Sequence, residues 1–305
     1  MPLAAVTIDV DSLSCYRAIH GLPAAPLDED PIYTVALPRF FELIEHTKVP
    51  ATLFCIGRDA PAHASAFEPV TRLGCEIASH SHSHDYALSR RTPSEIREDL
   101  ARADAALRTL SPSGRIHGFR APGYNTSAAL LEAVVERGYY DSSLLPAPMY
   151  FAARAAAIGL YGLRGRRSSS LVGDARAFAG PLEPYRTDPA TPWKPSAGPL
   201  VELPMTCGPK HRVPLFGTAL TTFPRRVFDA LVDRALRAVP LFNFEMHAID
   251  LLDAHDEGVP RELVEAQPDL RTSSAEKCFR FSKLFERLAR DAEVKTLGDA
   301  AQSAR

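Results

Sequence analysis

A chain of 305 residues, 46% hydrophobic and 24% charged, holds enough apolar material for one large globular domain or two small ones. Its formal charge of -2 offers no footprint for nucleic acid or for an anionic membrane surface, and no apolar run reaches the roughly 18 residues of a membrane span. The five cysteines, Cys15, Cys55, Cys75, Cys207 and Cys278, are widely spaced and contain no CxxC pair, which argues against a disulfide framework and a thiolate zinc site.

The chain opens "MPLAAVTIDVDS", without the basic start and long apolar core of a signal peptide, and reads as cytoplasmic. From there, short β-type runs alternate with longer segments of helical period. In order, the predicted strands are "AVTIDV", "ATLFCIG", "CEIASH", "IHGFRA", "YYDSSLL", "LVELPM" and "LFNFEMH", most of them closed by polar or Gly/Pro punctuation. Between them lie four predicted amphipathic helices. "PRFFELIEHTK" carries Pro38 in its first turn, and "TPSEIREDLARADAALRTL" begins with Thr92 three residues before Glu95, a capping-box spacing. "TSAALLEAVVERG" and "PRRVFDALVDRALRAV" repeat apolar residues at three- and four-residue intervals. Such alternation predicts an α/β domain with a mainly parallel sheet, open or closed into a barrel.

From about 146 to 199 the alternation breaks. "GLRGRRSSS" and "PLEPYRTDPATPWKPSAGP" are dense in Gly, Pro and Arg and too long for an ordinary connection. The stretch reads as an irregular insertion within a single domain spanning residues 1–305, serving as a lid, a substrate wall or a plain surface loop. Trp193, the only tryptophan, is a candidate for stacking on a ligand ring or for anchoring that loop.

Parallel α/β folds carry their chemistry at the carboxyl ends of the strands. The polar residues found there are Asp9 and Asp11, the tract His80, His82 and His84, then Arg120, Asp141 and His247. Asp9 and Asp11 stand at i and i+2 and share one face of an extended strand; two neighbouring carboxylates stay ionised only beside something positive. A divalent ion satisfies one of them. His80 and His84, four apart, can meet the same ion if the chain turns after its strand, while His82 points elsewhere. Two histidines and a carboxylate leave positions open for water, as in catalytic rather than closed structural sites. Arg120 can satisfy the second carboxylate.

Together, "TIDVD", "ATLFCIG", "GCEIASHSHSH", "FRAPGY", "GYYDSSLLP" and "FEMHAIDL" resemble, in order and rough spacing, the polysaccharide deacetylase family, the NodB-homology or carbohydrate esterase 4 group. The likeness is dense over residues 5–146 and thinner around 200–252. It implies a distorted (β/α) barrel of about seven parallel strands and a hydrolase that removes an N-acyl group, chiefly acetyl, from an amino sugar or related carbohydrate. It also implies roles. Asp9 matches the catalytic base, Arg120 the arginine that holds it, and His247 the general acid. Asp11, His80 and His84 match the metal ligands, and Pro122 shapes a loop whose next N–H, at Gly123, faces the oxyanion. One divalent ion is implied, zinc by default, with cobalt, nickel or manganese also fitting.

Two departures stand out. Val10 separates the aspartates, as in an intracellular-type subgroup resembling peptidoglycan deacetylases and formyl-sugar deformylases. "PGY" replaces the commoner Pro-Tyr-Gly, which leaves the role of Tyr124 open. Either Asp141 or Asp250 could orient His247. The implied partner is an acetylated carbohydrate, with an intracellular sugar or precursor favoured. Alternatives are a deformylase or other amidohydrolase acting on a small or lipid-linked sugar, a metal-free hydrolase resembling the allantoinase branch, a non-haem iron oxygenase, which expects an all-β scaffold, and a non-catalytic binding module.

Overall fold

The computed structural model describes residues 1–23, 30–163, 165 and 167–303. Among them, nine strands form one sheet: β1 (Leu3–Val10), β2 (Ala51–Cys55), β3 (Glu76–Ser79), β4 (Gly118–Phe119), β5 (Tyr140–Asp141), β6 (Tyr185–Thr187), β7 (Leu200–Glu202), β8 (Leu241–His247) and β9 (Glu293–Val294). Their order is β6-β7-β5-β4-β3-β2-β1-β8, with β9 paired to β1. Along the path from β7 to β8 every pairing is parallel; β6 alone runs antiparallel, at the β7 edge. The two ends of the path meet through the chain that follows β7. Thr206 N–H donates to Asn243 O at 3.0 Å, Asn243 N–H to Thr206 Oγ1 at 2.8 Å, and the Asn243 amide to Leu203 O at 3.1 Å. This is an α/β fold whose parallel sheet curls into a distorted barrel.

The seven predicted strands fall on β1–β5, β7 and β8, and the four predicted helices form at Leu37–Thr47, Pro93–Leu107, Ala128–Glu136 and Arg225–Ala238. At Thr92 the capping box closes in both directions, satisfying two orphan amides of the helix start. The helices press apolar faces onto the sheet: Phe40 and Ile44, Ile96 and Leu100, Leu130 and Val134, and Phe228 and Val232 are all essentially buried. A fifth long helix, Ser274–Asp291, packs Phe281 and Phe285 edge-on to Phe244 of β8. All five cysteines are free, and Cys15, Cys55, Cys75 and Cys207 are buried. Among the described residues no helix is long and apolar enough to cross a membrane.

The stretch 146–199 is more ordered than its composition suggests. Pro148–Leu163 is a helix, Tyr185–Thr187 is β6, and Arg186 is tied to the Gly198 carbonyl at 3.1 Å. Alanines dominate the middle of that helix, and their propensity outweighs its two glycines. In the run "GLRGRRSSS", Arg164 and Arg166 lie outside the described residues. Trp193 carries the Arg176 guanidinium over its ring at 3.9 Å, an anchoring contact within the stretch.

Candidate active site

Asp9 and Asp11 sit where β1 ends and the chain turns into the helix Leu13–Ile19, both at most 2% exposed. Beside them, the histidine tract leaves β3 and turns sharply. Ser81 and His84 both take positive φ, 65° and 51°, a conformation that non-glycine residues adopt only when their surroundings enforce it. Here the enforcers are visible. Asp99, on the helix Pro93–Leu107, accepts the amides of His82 and Ser83 at 2.7 and 3.1 Å, and Ser81 Oγ accepts the amide of His84 at 2.9 Å. The turn brings the His80 and His84 rings to 4.9 Å.

Both rings then face Asp11. Its Oδ1 is 3.4 Å from His80 Nε2 and 3.2 Å from His84 Nε2. His80 Nδ1 is hydrogen-bonded to the Arg120 carbonyl at 2.8 Å, which fixes the ring with Nε2 turned inward, as ligating histidines require. Burial lowers the His80 pKa to about 3, so the ring is neutral. For His84, burial acts to lower the pKa, but the Asp11 carboxylate outweighs it and raises it well above the usual value. Asp11 is correspondingly held below the usual carboxylate range by His84 and His80, against its own burial. A bound cation would take over the part played by the His84 proton.

The donor set fits a divalent ion. Asp11 Oδ1 and His84 Nε2 are buried and have no hydrogen-bond partner among the described residues, a costly condition unless something else satisfies them. Oxygen and imidazole donors suit zinc and its first-row neighbours. His82 does not join them; its Nδ1 lies beside Gly57, close to where a Cβ there would sit.

Next to this triad, Asp9 is gripped from the other side. Its Oδ1 accepts Arg120 Nη1 at 2.5 Å, and Arg120 is itself fully buried, bonded to the Ser142 carbonyl at 2.9 Å, Thr7 Oγ1 at 3.1 Å and Ser142 Oγ at 3.1 Å, with its guanidinium 4.1 Å from the Phe54 ring centroid. Burial raises the Asp9 pKa to about 6, the Arg120 charge opposing and Glu245 adding to the rise. Its free Oδ2 lies 3.9 Å from His80 Nε2 and has no hydrogen-bond partner among the described residues.

His247 ends β8, in register with Asp9. Its Nδ1 meets Glu245 Oε1 at 2.9 Å. Burial would lower its pKa, but the Glu245 carboxylate raises it well above the ordinary imidazole value. Glu245 also accepts the Tyr124 hydroxyl at 3.3 Å, and the Tyr16 ring stands edge-on to His247 at 6.3 Å. Asp9, Glu245 and His247 form a second close group of potential donors.

Of the two carboxylates considered for orienting His247, neither touches its ring. Asp250 Oδ2 accepts the His247 backbone amide at 3.0 Å, capping the short helix that follows β8. Asp141 accepts Ser143 Oγ at 2.5 Å and stands beside Glu202, its register partner on β7. The side chain on the ring is Glu245, which strand alternation could have supplied, since it shares a face with His247 just as Asp9 shares one with Asp11. Gly123 takes φ 59°, and a Cβ there would collide with the Tyr86 ring. Its carbonyl accepts Arg154 at 3.0 Å, while Tyr86 stands edge-on to His84 at 5.2 Å.

The Asp141–Glu202 contact has a consequence for stability. Burial and the Asp141 carboxylate push Glu202 well above its ordinary 4.5, so the folded chain keeps a proton that an unfolded one releases. The stabilisation is complete below 4.5 and is lost as pH rises through the raised folded value. Glu202→Gln, which keeps a donor without titrating, should flatten the alkaline decline in melting temperature relative to wild type. Superimposable pH profiles would contradict the shared proton.

Residues 27–141 match the family model described as polysaccharide deacetylase. A chitooligosaccharide deacetylase from Bradyrhizobium sp. (strain ANU 289) is 27% identical over 122 residues, 40% of this chain and 53% of that protein. The chain thus spans about half the length of this curated relative. Among solved structures, a Mycobacterium smegmatis protein assigned to the polysaccharide deacetylases aligns over 99% of this chain and 90% of its own, with TM-score 0.59 at 19% identity. A PuuE allantoinase aligns over 98% and 89%, with TM-score 0.57 at 15% identity. These two likenesses are of fold.

Proposed function

We propose, from the match of residues 27–141 to the polysaccharide deacetylase family model, that the chain is a metal-dependent hydrolase removing an N-acyl group, acetyl foremost, from an amino sugar or related carbohydrate. One observation carries the reading. A buried Asp11–His80–His84 cluster with unsatisfied donor atoms adjoins a carboxylate held by a buried arginine.

Asp11, His80 and His84 would hold the ion, whose Lewis acidity activates water and polarises an acyl carbonyl. Asp9 accepts the proton of the attacking water. Its pKa of about 6 leaves it ionised at neutral pH yet basic enough to work, and Arg120 fixes the direction of its free oxygen. Gly123, through its N–H, would steady the negative charge developing on the acyl oxygen. His247, kept protonated by Glu245, gives its proton to the departing amine. Tyr124 supports Glu245 through its hydroxyl. Water adds across the amide C–N bond, and a carboxylic acid and a free amine leave.

A second reading draws on the whole-chain likeness to the allantoinase: hydrolysis of a small cyclic amide without metal. The unsatisfied atoms of Asp11 and His84 favour the first. The two separate in one assay. With zinc or cobalt supplied, N-acetylated or N-formylated amino sugars should release amine, and a chelator should abolish the release. Hydrolysis of allantoin undiminished by the chelator, with no amine from any sugar, would establish the second.

A further inference from the structure

β8 lies beside β1 in parallel register, with Glu245 opposite Thr7 and His247 opposite Asp9. Strand alternation puts Glu245 and His247 on one face, and Asp9, Glu245 and His247 each bring one potential ligand atom within 4.8 Å of the others. These are the oxygen and imidazole donors that zinc and its first-row neighbours take. Donors on one tetrahedral ion, at bonds of about 2.1 Å, stand roughly 3.4 Å apart, so small side-chain rotations complete the set. Glu245 Oε1 and His247 Nδ1 already meet at 2.9 Å.

Two further observations single this group out. Asp9 Oδ2 is buried without a hydrogen-bond partner among the described residues, and the His247 side chain is 25% exposed. A donor in need of a partner thus lies beside a route from solvent. Other enclosed carboxylates lack this combination. Asp30 spends its oxygens on the amides of Leu13 and Ile32, and Glu76 spends its own on Tyr140, Thr52 and Gly298. Asp141 keeps a free Oδ2 but joins no group of three potential donors among the described residues.

We propose that Asp9, Glu245 and His247 form a second divalent-cation site, separate from Asp11–His80–His84, and that an ion held there suppresses turnover. The binding stands on the geometry alone. The suppression rests on the hydrolase reading, because the same ion takes the free oxygen of the proton acceptor and holds the ring of the proton donor. This second site is the weaker one. Arg120 lies on Asp9 Oδ1 at 2.5 Å, and Asp9 Oδ2 is 3.9 Å from His80 Nε2, so an ion here faces a guanidinium and the neighbouring cation at close range. Scarce metal therefore fills Asp11–His80–His84 first, and only excess metal reaches the second site.

The test is equilibrium dialysis of the full chain against buffered free zinc, wild type beside Glu245→Gln and His247→Gln, with melting curves to confirm folding; either folded variant decides. Expected are two ions at saturation in wild type, the second at least about tenfold weaker than the first. Each variant should keep the first ion and weaken the second by at least about tenfold more, since even partners one shell out from a metal are worth that much. Amine release should peak with one ion bound and fall as the second binds, and in Glu245→Gln the fall should move to higher zinc. One ion at every zinc concentration overturns the proposal. So does a second ion held equally by wild type and variants, which would place it on exposed histidines such as His117, His211 and His255. Loss of both ions in a folded variant would make the residues a single site and overturn it as well, and turnover undiminished by the second ion would overturn the suppression. A single ion that only His80→Ala/His84→Ala removes leaves the hydrolase reading standing without this one, whereas no ion in wild type removes both.

Discussion

Asp9→Asn is expected to keep its metal and lose turnover by roughly 100- to 10,000-fold, the span associated with a positioned general base. The separation follows from geometry. Asp11, His80 and His84 turn their atoms toward one another, whereas Asp9 spends Oδ1 on Arg120 and keeps only Oδ2 free. Asparagine can still accept from Arg120 but cannot take a proton from water. Thr7 and Ser142 continue to hold the guanidinium, yet a buried charge loses its carboxylate, so melting should fall as well. The decisive comparison is metal content against kcat in the same folded preparation. If Asp9→Asn loses metal as fully as a histidine variant does, the division of roles is wrong.

Glu245→Gln should move the alkaline limb of the pH–rate profile downward. In wild type the acid limb reports Asp9, with activity lost as pH falls through about 6; the alkaline limb reports His247, whose raised pKa depends on Glu245. Removing that carboxylate removes the largest of the charges that oppose burial, with Asp9 and Asp11 remaining, so the imidazolium gives up its proton at lower pH and the profile narrows. The same change relieves Asp9 of a neighbouring negative charge, so the acid limb should shift slightly downward too. At neutral pH kcat should fall by on the order of 10- to 100-fold, less than the full 100- to 10,000-fold contribution of a general acid because the imidazole itself stays in place. A merely structural Glu245 would lower activity at every pH and leave both limbs where they were.

Much of this architecture is legible in the sequence because the strands that build the site are apolar runs ending in chemistry. Asp9 and Asp11 flank the last residue of β1, His80 directly follows β3, and His247 ends β8. The two strands that pass unnoticed, Tyr185–Thr187 and Glu293–Val294, are too short for period-two patterning to rise above background. The helix Pro148–Leu163 is hidden by averaging, since Gly, Pro and Arg on either side dilute an alanine-rich core. Asp99 gives no signal at all. It lies in an ordinary charged helix, and its role appears only when the fold sets that helix beside the histidine turn. Asp141 and Asp250 illustrate a related limit: strand ends bring carboxylates near one another, but only coordinates decide which ring each one meets.

Everything functional in this account depends on the Asp11–His80–His84 cluster taking an ion. Elemental analysis by mass spectrometry of the purified chain, incubated with zinc and then freed of unbound metal, tests this directly beside His80→Ala/His84→Ala. About one divalent ion per wild-type chain and none in the double variant is the predicted result. No retained ion in wild type, or equal retention in both proteins, would contradict it.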